Sequence, residues 1–361
     1  MEITKDSLMI TDLGLPEIVY SKTKTSFENG LEHGKRFKDA IKSLADLRRG
    51  LMLQKNPALA PNITELAKKQ FEMTSNFSKK LADELEGIAQ GAELSIEDII
   101  ILNNYTDFRD ITLPDEGCTT IYSSLSDPPV AGQTWDMHES AKNFLCVIKE
   151  DEKIIFSLVG CLGLMGVNKK GLFIGVNNIN TLDAKIGIVW PALVRSALEE
   201  DNLNALRDKV KTAQVTSGHN YLIADKTSGE HWEITPSIKG LASKASIEDK
   251  NVIFHTNHCL NTEVKNIEDQ NSISSTTHAR FDICQKHYLE IKDENSMEAF
   301  LKSHENHPKS ICSHFNSGAQ DPSMTCGGAV FNFKTLQFKI WKGCEEFDRN
   351  YAQRIYKLGN L

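Results

Sequence analysis

The sequence has little of what marks membrane, secreted or nucleic-acid-binding proteins. No apolar run approaches the roughly 18 residues that a membrane span needs, and the first six residues lack the apolar core of a secretion signal. Basic residues come only in short pairs such as Arg48-Arg49, and the formal net charge is −8. We therefore expect a soluble, cytoplasmic protein that acts on a small molecule, with no nucleic-acid or membrane partner.

Cysteine is present, but its spacing does not suggest cross-links. The eight cysteines include no Cys-x-x-Cys pair and form no compact disulfide framework. We expect most of them to be reduced thiols buried as small hydrophobic residues. With 361 residues, 40% of them hydrophobic, the chain is long enough to bury a sizeable core in one large domain or two ordinary ones.

The apolar pattern predicts a helical first third and a strand-rich remainder, with the change near residues 115–118. Apolar residues recur at helical spacing over 31–51 and 63–92, and Ser95 with Asp98 resembles a capping box that opens a third helix. After Cys118, β-branched and aromatic runs predict hairpins over residues 144–160, 167–176, 221–234 and 329–341. Further helices are expected at roughly 190–211 and 276–291. Antiparallel sheet flanked by helices is the expected layering.

Cys118 is the residue with the most informative surroundings. It follows Gly117 and opens a predicted strand. If the thiol adds to the Gly117 carbonyl, an N-to-S shift gives a thioester that water hydrolyses, which leaves Cys118 as a new N-terminus. Its α-amino group, with an ordinary pKa of about 8, can then serve as the base for a thiol whose ordinary pKa is about 8.5. The alternative is a cysteine that simply begins a buried strand.

Asp136 lies where a hairpin partner of the Cys118 strand would pass. It follows the turn at Asp127-Pro128-Pro129, within Gly-Gln-Thr-Trp-Asp-Met. A returning strand would bring its carboxylate near the new N-terminus, where it could hold an ammonium group. Trp135 and Met137 share the opposite face of this strand, so we expect them to pack in the core.

Several segments together make the chain resemble a known family. They are Glu84–Gly91, Gly117–Thr120, Gly132–Asp136, Gly166–Leu172, Gly218–Tyr221 and His255–His258. The chain resembles the acyl-coenzyme A:6-aminopenicillanic acid acyltransferase family, a branch of the N-terminal-nucleophile hydrolases. This resemblance implies an α+β fold, the four-layer αββα sandwich. It also implies a helical segment, residues 1–117, that stays associated with a hydrolase domain, residues 118–361, after self-cleavage.

The resemblance further implies roles for individual residues. Cys118 would be the nucleophile, Asp136 the group that binds its α-amino nitrogen, and Asn257 an oxyanion-hole donor. Arg280 resembles the family's arginine near the nucleophile, with a plain surface arginine as the open alternative. Asn220 is a second candidate oxyanion donor, or else a turn asparagine.

The implied reaction is hydrolysis of the linear amide of a small N-acyl amine or β-alanyl amide through a thioester acyl-enzyme. Acyl transfer to an amine acceptor is the alternative within the same chemistry, because the two differ only in which nucleophile meets the thioester. No cofactor is expected. Association into homo-oligomers is left open.

Two alternatives compete with this interpretation, one of them an enzyme and the other not. A papain-like thiol enzyme would pair Cys118 with His258 or His278, but a cysteine activated by a helix N-terminus would open a helix rather than a strand. A non-enzymatic binding protein is the other alternative, since folds of enzymes can lose their chemistry.

Two groups of histidines offer metal ligands. His255-x-x-His258 is followed by Cys259, and His304-x-x-His307 is followed by Cys312 and His314. Neither group has the paired spacing of a structural zinc module. The preferred interpretation is that these are unrelated turn and rim histidines, so the sequence predicts no metal site.

Overall fold

Helices surround two β-sheets in the computed structural model, which describes residues 12–107, 117–125, 127–316, 318 and 321–360. The helices of the first third are α1 (Ser26–Arg36), α2 (Lys38–Lys55), α3 (Ile63–Phe77), α4 (Lys79–Ala92) and α5 (Ile96–Asn103). Those of the remainder are α6 (Trp190–Ala197), α7 (Leu203–Thr212), α8 (Thr262–Lys265), α9 (Thr277–His287) and α10 (Glu294–Leu301).

Each sheet is built mainly from antiparallel neighbours. The strands of the eight-stranded sheet, from edge to edge, are β1 (Glu17–Val19), β4 (Leu145–Lys149), β5 (Lys153–Leu158), β6 (Met165–Asn168), β7 (Phe173–Asn178), β8 (His219–Ala224), β9 (Ser228–Ile234) and β10 (Lys239–Ser246). Those of the six-stranded sheet are β11 (Val252–His255), β2 (Gly117–Ser123), β3 (Val130–His138), β12 (Ser323–Asn332), β13 (Gln337–Lys342) and β14 (Ala352–Lys357). The four predicted hairpins are confirmed as β4–β5, β6–β7, β8–β9 and β12–β13.

The first third is helical as predicted, but its two long helices are each divided. The predicted helix over 63–92 breaks at Ser78, whose backbone is extended and whose side chain accepts a hydrogen bond from the Leu81 N–H, so it caps α4. The helix over 31–51 breaks at Phe37. The capping box at Ser95 is confirmed, because the Ser95 and Asp98 side chains each accept from the other's backbone N–H. The change predicted at residues 115–116 lies outside the described residues.

The first third also contributes a strand that the sequence pattern did not indicate. Strand β1 pairs in parallel with β4 and forms one edge of the eight-stranded sheet. Nearby, α1 and α4 cross closely, because a Cβ on Gly30 or Gly87 would lie 2.2 Å from a carbonyl oxygen of the facing helix. Only glycine permits this approach, which fixes the position of Glu84 on α4.

The predicted four-layer αββα sandwich is confirmed. The sheets face each other, and Gln133 on β3 exchanges two hydrogen bonds with the Val176 backbone on β7, at 2.7 and 2.8 Å. Helices α6 and α7, beside those of the first third, cover the outer face of the eight-stranded sheet. Helix α10 covers the other sheet, with Met297 and Leu301 against Gly132. Over the described part of the chain, no helix combines the length and apolar character that crossing a bilayer requires.

Candidate active site

The hairpin of β2 and β3 brings the two central candidate residues together. Gly117 and Cys118 are the first residues of β2, and Gly117 pairs with Asp136 while Cys118 pairs with Trp135. Trp135 and Met137 lie in the hydrophobic core as predicted, with the Trp135 ring edge-on to Phe156. Because neighbouring side chains of a strand point to opposite faces of the sheet, the Asp136 carboxyl lies on the face opposite Trp135 and Met137, next to Gly117.

Gly117 lies in a space that no other residue type would fit. A Cβ at this position would lie 2.4 Å from Asp136 Oδ2 and 2.9 Å from Arg280 Nη2. A carboxylate and a guanidinium are therefore packed directly against the residue that precedes Cys118.

Arg280 is buried rather than on the surface, so the surface alternative is wrong. It lies in the first turn of α9 with none of its side chain exposed. Its Nη1 donates to the Cys118 carbonyl oxygen at 2.6 Å, and its Nη2 donates to Asn257 Oδ1 at 2.7 Å. Its Nε is 4.0 Å from Asp136 Oδ2. One fixed cation thus links the three other candidate residues.

The resemblance implied that Asn257 is an oxyanion donor, whereas its contact with Cys118 in this structure is made by the side-chain oxygen. Asn257 Oδ1 accepts from the backbone N–H of Cys118 at 2.8 Å, as well as from Arg280. Its Nδ2 donates to the Asn178 carbonyl at 2.9 Å. In the intact chain Asn257 therefore holds the Cys118 nitrogen, and its role as an oxyanion donor stays a prediction.

The amide that donates toward Cys118 belongs to Asn177, which the sequence interpretation missed. Asn177 Nδ2 donates to the Cys118 carbonyl at 3.0 Å. Asn220 pairs with Asn177 from the neighbouring strand β8, and its side chain donates to Asn177 Oδ1 at 2.7 Å. Thr120 donates to the same oxygen at 2.6 Å. With its oxygen occupied in this way, Asn177 can present only its N–H groups to Cys118, so Asn220 acts through Asn177 in this arrangement.

The Asp136 carboxyl is nearly fully buried and only partly hydrogen-bonded. Oδ1 accepts from the Thr325 hydroxyl at 2.7 Å, whereas Oδ2 has no hydrogen-bond donor among the described residues. Burial raises the pKa of Asp136, and the Arg280 charge, the Thr325 hydroxyl and His314 only partly oppose that rise. Oδ2 therefore retains the capacity to accept a hydrogen bond from one more donor or cation.

The raised pKa of Asp136 predicts a pH dependence of stability. A carboxyl whose pKa is higher in the folded than in the unfolded chain stabilises the fold at low pH, and this contribution is lost as pH rises from the ordinary value of 3.8 through the folded value. Urea unfolding of Cys118→Ala and of Cys118→Ala/Asp136→Asn, compared from about pH 4 to pH 7, isolates the effect. The first variant is expected to lose stability relative to the second as pH rises. The argument from burial would be contradicted if the unfolding free energy of the first variant, minus that of the second, stayed constant or increased as pH rises.

Of the two histidines of the papain-like alternative, His278 lies in the first turn of α9 and His258 packs against it. The two rings are tilted by 45° with centroids 4.5 Å apart, and His258 Nδ1 lies 3.0 Å from the Thr277 hydroxyl. Burial, together with nearby positive charges, lowers the pKa of His258 to about 3, so this ring is neutral at physiological pH. Cys118 begins a strand, as predicted, and not the helix that this alternative favours.

A family profile decides the affiliation of the chain. The profile described as "Acyl-coenzyme A:6-aminopenicillanic acid acyl-transferase" matches residues 125–340, more than half of the sequence. The chain belongs to this family. The matched range covers Asp136, Asn257 and Arg280 and begins after Cys118. Membership of the acyl-transferase family indicates an enzyme that hydrolyses amides or transfers acyl groups.

Individual relatives are more distant. The 40 kDa form of acyl-coenzyme A:6-aminopenicillanic-acid-acyltransferase from Emericella nidulans is 24% identical over 322 residues, which cover 85% of this chain and 86% of that protein. A Caenorhabditis elegans ortholog of N-acylethanolamine-hydrolyzing acid amidase aligns over 60% of this chain and 92% of its own, with 13% identity and a TM-score of 0.41. Penicillin V acylase from Agrobacterium tumefaciens aligns over 63% and 83%, with 11% identity and a TM-score of 0.37.

Proposed function

We propose that this member of the family is a self-processing cysteine amidohydrolase in which Cys118 becomes the N-terminal nucleophile. The observation that carries the proposal is the set of contacts around one peptide bond. The Cys118 nitrogen is held by Asn257 at 2.8 Å, while Asp136 and Arg280 lie against Gly117. A buried charge pair around a glycine-cysteine junction is costly to a protein that makes no use of it.

The proposed processing step needs only the chain itself and water. The Cys118 sulfur adds to the Gly117 carbonyl carbon, the bond from that carbon to the Cys118 nitrogen breaks, and the nitrogen takes up the proton that the thiol gave up. Water then hydrolyses the thioester, which yields a Gly117 carboxylate and restores the thiol. The α-amino group that this step releases would be protonated and could donate a hydrogen bond to Asp136 Oδ2. This is the role that we propose for Asp136, because an ammonium group would satisfy its buried carboxylate.

In the proposed catalytic cycle, the α-amino group of Cys118 takes the thiol proton and later gives it to the leaving amine. The thiolate attacks the amide carbonyl, the amine departs, and the acyl group remains on sulfur as a thioester until water removes it. Arg280 would stabilise the anionic sulfur through its fixed positive charge. Asn177 and Asn257 are candidate oxyanion donors, and the loss of one such donor costs roughly 3–4 kcal/mol of transition-state stabilisation in other enzymes.

We take a small N-acyl amine or β-alanyl amide as the substrate class. Acyl transfer to an amine is the second candidate, and the observation that favours it is the similarity to the Emericella protein, which is named an acyltransferase. The helical segment of residues 1–117 would remain bound after the cut and act as the chain's own partner, because its apolar helix faces and strand β1 are part of the common core.

Trapping the acyl-enzyme tests this function. The purified protein is mixed with each of a panel of N-acyl amines and quenched in acid. The mass of the fragment that begins at Cys118 is then measured by mass spectrometry. We expect its mass to rise by that of the acyl group, and the added mass to disappear on treatment with hydroxylamine, which cleaves thioesters. A free amine added with the substrate would be acylated by a transferase and ignored by a hydrolase. The absence of any acylated fragment across the panel would count against the proposal.

A further inference from the structure

Four potential metal ligands converge at a point that the family assignment does not explain. They are His304 and His314 from the connection after α10, Cys312 between them, and Cys344 just after β13. Their donor atoms all lie within 4.8 Å of one another. The sequence interpretation treated the first three as unrelated residues and did not consider Cys344, so the fold creates this cluster.

Three of the six distances between the donor atoms match those of a tetrahedral zinc site. His304 Nε2 lies 3.3 Å from His314 Nε2 and 3.4 Å from Cys344 Sγ, and Cys312 Sγ lies 3.6 Å from His314 Nε2. Zinc bonds of about 2.3 Å to sulfur and about 2.0–2.1 Å to nitrogen, set at tetrahedral angles, imply N–N separations of about 3.3 Å and N–S separations of about 3.5 Å. We propose that His304, Cys312, His314 and Cys344 bind one zinc ion.

The surroundings of the ligands fit this assignment. His304 Nδ1 lies 3.2 Å from Glu346 Oε2, so the ring proton belongs on Nδ1. The unprotonated Nε2 then directs its lone pair into the cluster. The Phe347 ring packs edge-on against His304 and His314, with centroids 5.0 and 4.9 Å away. Two thiolates and two neutral imidazoles around Zn²⁺ carry no net charge, which suits an apolar flank.

Both thiols are buried, and all four positions would be filled by protein. Cys312 and Cys344 are each 3% exposed. A site with four protein ligands has no open position for water or substrate, so the ion would be structural. Residues 302–316 contain no helix or strand, and zinc would join this connection to the end of β13.

The cluster is also tied to the candidate active site. Ser313, between two of the ligands, donates its backbone N–H to the Thr325 hydroxyl at 2.7 Å and accepts from the Thr325 N–H at 2.9 Å. The same hydroxyl donates to Asp136 Oδ1 at 2.7 Å. A zinc ion that fixes Cys312 and His314 would therefore hold Thr325 as the donor to Asp136. The metal site itself stands whether or not Cys118 is a nucleophile.

Metal content tests the proposal directly. The full-length chain is purified with a tag other than polyhistidine, and its metals are measured by plasma mass spectrometry. We expect about one zinc ion per chain that survives gel filtration. Cobalt substitution should give the intense visible bands and thiolate charge-transfer absorption of a tetrahedral site with two sulfur ligands.

Matched variants separate ligation from packing. His314→Ala should lose the metal, whereas His307→Ala should retain it, because His307 packs on the His314 ring 5.7 Å away but is not one of the four ligands. Glu346→Gln should weaken zinc affinity about tenfold. A cooperatively folded wild type that is metal-free and binds no added zinc would overturn the site. So would stoichiometric iron in place of zinc, or a Cys312–Cys344 disulfide whose reduction does not restore zinc binding.

Discussion

Cys118→Ala is expected to yield a single uncut chain, whereas the wild type yields two fragments, one of which begins at Cys118. The alanine variant keeps the Asn257 contact to the backbone N–H but has no sulfur to add to the Gly117 carbonyl. Amide turnover should fall to background, because the same substitution removes the nucleophile and prevents release of the α-amino base. Intact mass and N-terminal sequencing measure the cut.

Cys146→Ala is the control for this experiment. Cys146 is equally a buried strand cysteine, but it lies on β4 in the other sheet, among the core residues. It should be cut and active, with only the small stability loss of a trimmed core side chain. A wild type that remains whole under every condition would show that Cys118 is not an N-terminal nucleophile, and the papain-like and binding interpretations would then move ahead.

Arg195→Met is expected to destabilise the protein by about 3–5 kcal/mol, because it leaves buried carboxylates without their cation. Arg195 is 2% exposed and donates to both oxygens of Glu84 at 3.0 Å, and it also pairs with Glu150. Burial by itself raises the pKa of Glu150, but the positive charges of Arg195 and Lys153 outweigh burial and hold this pKa at about 2. Urea unfolding would show the loss as a lower midpoint with little change in slope.

Removing Glu84 together with Arg195 is the control for this prediction. The same ion pair also joins the segment before Cys118 to the segment after it. Glu84 lies on α4 in the segment before Cys118, whereas Arg195 lies on α6 after it. The double variant Arg195→Met/Glu84→Leu should recover much of the lost stability, because Glu150 keeps Lys153 at 2.8 Å as a partner. If the chain is cut, only the single variant should release its N-terminal fragment readily in gel filtration. Equal stability of both variants and the wild type would contradict the argument.

The sequence was sufficient to predict the residues whose neighbours along the chain reveal them. Gly117-Cys118 and Asp136 belong to one hairpin, and short hairpins follow from local pattern and turn chemistry. Asn177 was missed because nothing in its local sequence sets it apart from another strand asparagine such as Asn220, with which it pairs across β7 and β8. Only the approach of the two sheets decides which of them reaches Cys118.

The remaining differences all depend on contacts between distant parts of the chain. Strand β1 has three residues, and its pairing with β4 rather than its own pattern makes it a strand. Arg280 was ambiguous because a helix start on the surface and one buried inside the fold can have the same sequence. Cys344 reaches the other zinc ligands only through the β12–β13 hairpin, so no spacing motif could reveal it.

The position of β1 bears on the order in which the protein can be made. A shortened chain that started at Cys118 would leave β4, with the apolar run Leu-Cys-Val-Ile, as a bare sheet edge open to pairing with other molecules. The first third emerges from the ribosome before that strand exists and covers it as soon as it forms. Attempts to produce residues 118–361 by themselves should therefore give aggregates, and co-expression with residues 1–117 is the better design.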